Sequence, residues 1–170
     1  MRQSVVPWCA GGAILILGVA GSLAVPRRLK GPARHGVVGV ALQIVERESP
    51  IVGAGGVLVE NLGIETAGGV CMTLIPKGST TPALGTLSFT TQTPEQPDIL
   101  IHLVRGLSER AAEDRSLGWF RIGPLPSAPQ GGARAIVFFR IDAGAIGLAA
   151  LEPGSKTVLP VGPSAPPPER

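Results

Sequence analysis

From residue 57 to residue 151 the apolar residues come in short runs of alternating character, each closed by residues that turn a chain. The runs cover residues 57–60, 70–75, 86–91, 99–105, 117–122, 135–142 and 146–151. Pro76-Lys77-Gly78, Thr93-Pro94-Glu95-Gln96-Pro97-Asp98 and residues 124–132 are the clearest breaks between them. Successive side chains of a strand point to opposite faces, so a period of two buries one face and wets the other. Ala135, Val137, Phe139 and Ile141 fall on one face, with Arg134, Phe138 and Arg140 among those opposite. Short strands at this spacing predict a mainly β chain, an antiparallel β-sandwich. Composition agrees: 24 Gly and 17 Pro are too many for a helix bundle, and 44% hydrophobic residues are too many for a disordered chain.

The N-terminal segment obeys a different rule. No charged residue occurs from Gln3 to Pro26, and Ala13-Ile14-Leu15-Ile16-Leu17-Gly18-Val19-Ala20 is its densest apolar part. About 20 apolar residues suffice to cross a bilayer. Trp8 suits the aromatic belt and Arg27-Arg28-Leu29-Lys30 the headgroup side. Residues 1–26 are therefore expected to form a hydrophobic helix that anchors the chain in a membrane through residues 4–25. The cation excess after the span then holds the body in the cytoplasm. The alternative is a signal segment cut near Ser22-Leu23-Ala24, which gives a secreted or periplasmic body. Residues 27–56 are expected to be a basic linker with a short helix over 37–46, residues 57–160 the sandwich, and residues 161–170 a disordered Pro-rich tail.

Charge and ligand chemistry narrow the functions. Arg2, Arg27, Arg28, Lys30 and Arg34 are five of the fifteen cations, so ten remain against twelve acids in the rest of the chain. That balance of −2 gives no clustered basic surface on the body, and no nucleic-acid partner is expected. With two histidines, His35 and His102, and two cysteines, Cys9 and Cys71, no metal site is expected. Gly53-Ala54-Gly55-Gly56 lacks the order of a phosphate-binding loop and reads as a hinge, so no cofactor is expected. Ser88, His102 and Asp98 supply the residue types of a triad, but no nucleophile elbow accompanies them. The chain is expected not to be an enzyme.

The run Leu62-Gly63-Ile64-Glu65-Thr66-Ala67-Gly68-Gly69-Val70 is the most specific in the chain, followed by Thr73-Leu74-Ile75-Pro76-Lys77-Gly78-Ser79-Thr80-Thr81-Pro82. Phe89-Thr90-Thr91, Ile99-Leu100-Ile101-His102, residues 109–118 with Phe120, and Phe139-Arg140-Ile141-Asp142-Ala143 continue it. Together they resemble the substrate-binding domain of the 70-kilodalton heat-shock chaperones, the DnaK family. The resemblance covers residues 62 to about 146, and Val38-Gly39-Val40-Ala41-Leu42-Gln43 more weakly resembles the last helix of that family's nucleotide-binding domain.

The resemblance implies a β-sandwich whose loops hold an extended apolar peptide. By matched position, Ile64, Thr66, Val70, Phe89, Ile99, Ile101 and Ala135 would line the pocket or its approach. Ala67 and Gln92 would arch over the peptide, with Gln96 beside it. Val70, Phe89, Ile101 and Ala135 would equally be core residues of any sandwich. Two departures stand out: Ala135 is small where the family carries a larger branched residue, and Gln92 is polar at the arch. Neither a nucleotide-binding domain nor a helical lid is visible in the sequence. The expected function is ATP-independent binding of unfolded or extended apolar segments, as a holdase or docking module, with a separate ATPase partner left open. The alternative is an interaction sandwich, or a truncated chaperone remnant, that has lost peptide binding.

Overall fold

The computed structural model describes residues 42–167 and the backbone of Leu15–Ile16. Apart from Leu15–Ile16, which are described as a two-residue strand, the expected N-terminal helix and the anchor or signal segment lie outside these residues, as do residues 27–41 of the basic linker. Among the described residues no helix is long and apolar enough to cross a membrane. Eleven strands are described: β1 (Leu15–Ile16), β2 (Gln43–Glu46), β3 (Asn61–Thr66), β4 (Val70–Ile75), β5 (Ala83–Thr90), β6 (Ile99–Gly106), β7 (Arg115–Ile122), β8 (Arg134–Asp142), β9 (Ala145–Leu151), β10 (Val158–Leu159) and β11 (Val161–Ser164). One sheet runs β1-β5-β8-β9-β10 with β2 also on β9, and the other runs β11-β7-β6-β3-β4. Every pairing is antiparallel. The chain is the antiparallel sandwich that its periodicity predicts.

Strand β8 shows why. Ala135, Val137, Phe139 and Ile141 are fully buried, while Arg134, Ile136, Phe138, Arg140 and Asp142 alternate with them on the wetter face. Across the interior they meet Ile64, Ile101, Leu103 and Ile122 of the second sheet in one continuous core. Burial of apolar area at about 25 cal/mol per Å² is what holds the two layers together. The β8–β9 hairpin turns on Ala143 and Gly144, with φ of 47° and 85°. Two positive φ values mark the turn whose twist matches that of the flanking strands, which is why Gly sits at its second position.

Three expectations change. Residues 43–46, read as the end of a short helix, form β2 and pair with Ile146, Gly147 and Leu148 of β9. A short apolar run fits either period, and the open edge of β9 decides in favour of a strand. The run at 57–60 is not a strand but a crossing held by single bridges: Leu58 is buried, its N–H donates to the Ser79 carbonyl at 2.8 Å, and Val57 bridges Thr80. The tail is ordered at its start, where β11 pairs with Trp119–Ile122 of β7. Pro163 has no N–H to give, and an edge strand tolerates that because one side of it needs no partner.

Candidate functional site, a strand edge between two loops

The residues matched to the peptide site gather at one end of the sandwich. β3 pairs with β6 from Asn61 opposite Gly106 to Ile64 opposite Leu103, so β3 runs out toward the start of β6. The loop 91–98 joins the end of β5 to that same start. The turn 67–69 and the loop 91–98 therefore share one end.

The structure sorts the ten expected site residues into three groups. Ile64, Phe89, Ile99, Ile101 and Ala135 are buried in the common core, with Phe89 directly opposite Ala135 in the β5–β8 ladder. Ala135 is thus a packed neighbour of Phe89. Thr66, Gln92 and Gln96 are half-buried, and Ala67 is exposed. Val70 is 51% exposed and is not enclosed with Phe89, Ile99 and Ile101. Its place on β4 explains this, because residues 109–111 cover the backbone there without covering the side chain.

Both loops are braced by local bonds. In the turn after β3, Thr66 Oγ1 donates to the Val70 carbonyl at 2.9 Å and the Gly69 N–H to the Thr66 carbonyl at 3.1 Å. The outer edge of β4 is occupied: Cys71 N–H donates to the Glu109 carbonyl at 2.8 Å and Ala111 N–H to the Gly69 carbonyl at 2.9 Å. Gln96, expected beside the peptide, spends its amide inside its own loop. Its Oε1 accepts the N–H of Gln92 at 2.9 Å and its Nε2 donates to the Asp98 carbonyl at 2.7 Å. The loop is laced to the segment before β8 through Glu95 N–H to the Ala128 carbonyl and Thr91 N–H to the Ala133 carbonyl, at 2.9 and 3.2 Å. The bracing is incomplete, since Thr91 Oγ1 is buried in this loop without a hydrogen-bond partner.

What this end offers a guest is the edge of β5. One side of β5 is zipped to β8 along its length, from Ala83 opposite Ile141 to Thr90 opposite Arg134. Among the described residues its other side carries only the two-residue β1, with Leu15 opposite Thr90 and Ile16 opposite Phe89. An extended segment can therefore add to β5 as a strand, which is one of the recurrent ways in which proteins take up peptides.

A polar cluster that sequence reasoning missed lies on the β3-β6-β7 sheet. His102 Nδ1 meets Glu65 Oε2 at 2.6 Å, its Nε2 meets Ser116 Oγ at 2.7 Å, and its ring stacks on Trp119 with centroids 4.6 Å apart. Neither Ser88 nor Asp98, the other members of the triad named from sequence, is a partner of His102 in these bonds. Ser116 Oγ also accepts the Gly118 N–H at 3.2 Å. The cluster ties three strands together on one sheet surface. Its members are 37 and 14 positions from His102, so no local spacing could have announced it.

Cys71 borders this end and is a free thiol. Burial, then the hydrogen bond and negative charge of Asp114, push its pKa from 9.0 up to about 11. The thiolate is the reactive form, so its population at neutral pH falls about a hundredfold. The greater nucleophilicity of a more basic thiolate restores about tenfold of that. Cys71 should therefore alkylate with iodoacetamide about tenfold more slowly in the native than in the denatured chain, read by peptide-resolved mass spectrometry. Equal rates would show that Asp114 and burial do not shield it.

Among the described residues no group of three or more His, Cys, Asp or Glu side chains is placed to hold a metal ion. Two antiparallel layers, with two braced loops at one end beside the β5 edge, define the fold class as a β-sandwich. Comparison with known proteins gives the family: the model described as Hsp70 protein matches residues 56–156, and the chain belongs to the Hsp70 family. The chain is also 41% identical over 86 residues to the chaperone protein dnaK of Cyanidium caldarium. That alignment covers 51% of this chain and 14% of the relative. The expectation of a chain that is not an enzyme needs correction, because the Hsp70 likeness points to an ATPase family, of which the matched residues are the substrate-binding part.

Proposed function

We propose that this chain binds extended, apolar polypeptide segments at the end of the sandwich formed by turn 67–69, loop 91–98 and the β5 edge, and that it does so without nucleotide, as a holdase or docking module. The observation that carries the proposal is the Hsp70 match over residues 56–156 combined with a β5 edge, on the side away from β8, that among the described residues is paired at Phe89–Thr90 by β1 alone. Backbone pairing supplies affinity that is indifferent to sequence, and the apolar surroundings select against charge. A fluorescent heptapeptide with a central Leu should bind the full chain, without ATP, in the micromolar-to-millimolar range, while the same peptide with a central Asp should not. Amide exchange should slow at residues 89–92 when the peptide is added. Absence of binding by the full chain, and by the Leu15→Asp/Ile16→Asp chain described below, overturns the proposal.

One observation favours the second reading, an interaction sandwich without a peptide site. Ile64, Ile99, Ile101 and Ala135 are wholly taken up by the core, and Val70 faces outward. The same binding experiment separates the two readings, since an inert sandwich shows no preference between the Leu and Asp peptides.

A further inference from the structure

The two-residue strand β1 comes from the middle of the uncharged apolar stretch, and it docks on the strand edge assigned above to guest peptides. Its register is antiparallel, Leu15 opposite Thr90 and Ile16 opposite Phe89. We propose that the segment around Leu15–Ile16 is a built-in occupant of the peptide site, an internal pseudosubstrate that an external segment must displace. The inference rests on the peptide-binding reading and names the ligand that the site holds at rest.

Three features converge on this occupant. The first is chemical: Ala13-Ile14-Leu15-Ile16-Leu17 is an apolar run without charge, with Ile14 and Ile16 β-branched, the composition expected of a guest on an apolar strand edge. The second is positional: Phe89 and Thr90 close β5, and Thr91 and Gln92 open the braced loop, so β1 lies where the arch begins. The third is the tether. Residues 17–41 separate β1 from the first residue of the body, a contour of up to about 90 Å. Such a connection spans the body with ease and gives a local concentration on the order of millimolar.

The strength of self-occupation follows. A segment with an intrinsic Kd of about 0.1 mM, held at about 1 mM, fills its site roughly nine-tenths of the time. An outside peptide then sees its apparent Kd raised about tenfold. The same edge cannot pair with both at once, so the relation is strictly competitive.

The test compares the full chain with a full-length Leu15→Asp/Ile16→Asp variant, titrated with the labelled Leu-centred heptapeptide. The variant should bind about tenfold more tightly. A synthetic peptide of residues 10–20 should displace the label from the variant, and the same peptide carrying both Asp residues should not. Equal affinities of the two chains, or a residue 10–20 peptide that fails to compete, overturn the inference while leaving the peptide site standing. If neither chain binds any peptide, the reading of the site falls and the inference with it. A second full-length variant, with residues 13–17 replaced by Gly and Ser, repeats the comparison without adding charge and must show the same tightening.

Discussion

Phe139→Ala is expected to lower the unfolding free energy of the sandwich by about 3–5 kcal/mol, the range for emptying a buried aromatic site. Phe139 is fully buried in the middle of β8, between Gly85 of β5 and Leu148 of β9. Gly85 has no side chain of its own to offer, and the space where its Cβ would stand is already lined by Ile75, 3.1 Å away, and Leu74. Domain stability is typically 5–15 kcal/mol in total, so the loss is a large part of the whole. Urea denaturation followed by circular dichroism should show the midpoint falling with an unchanged slope. The neighbouring Phe138→Ala, on the half-buried face of the same strand, should cost far less. A loss below about 1.5 kcal/mol at Phe139 would mean that the two sheets do not pack through β8.

The second large effect is electrostatic. Arg105 is only 5% exposed, and its Nη1 donates to Glu60 Oε2 at 2.6 Å while its Nε stands 3.8 Å from Glu46 Oε2. Three segments distant in sequence, β2, the 57–60 crossing and β6, are joined at this one guanidinium. Removing a single member of a buried ion pair leaves its partner's charge uncompensated, at a cost of about 3–5 kcal/mol. Glu46 and Glu60 reach water in part, so Arg105→Ala is expected near the lower end of that range. Replacing the trio together, Arg105→Met with Glu46→Gln and Glu60→Gln, should return most of the loss, because no charge is then stranded. If the triple variant is as unstable as the single one, packing rather than charge is what Arg105 supplies.

How much of this was legible in the sequence depends on the range of the interaction that decides each element. β8 reads directly, because its alternation is local and its two faces meet very different surroundings. β3 does not read from periodicity, since Leu62 and Ile64 alternate with Asn61, Gly63 and Glu65 but two apolar residues are too few to declare a strand; the Leu62–Val70 motif is what shows it. Gly63 is there for β4 to approach: a Cβ at that position would stand 2.6 Å from Cys71 Sγ. β2 and β11 were missed for a common reason. Each is too short to declare itself and becomes a strand because a neighbouring edge is open. The candidate site was legible by family motif as a set of positions, but burial could not be read. Nothing local distinguishes Ile101, sealed in the core, from Val70, open to solvent. The role of Gln96 as brace of its own loop depends on the folded path of residues 92–98, which spacing does not encode.

The family match ends at residue 156, yet the molecule does not. Over the next eight residues the chain lays Val158–Leu159 against β9 in one layer and then, across Pro160, Val161–Ser164 against β7 in the other. This stretch works as a clasp that closes a free border on each layer. A fragment cut to the limits of the family match would bare both borders at once, and bare strand borders recruit other chains. The boundary for any soluble fragment of this protein therefore lies beyond Ser164, set by the clasp and not by where the family likeness fades.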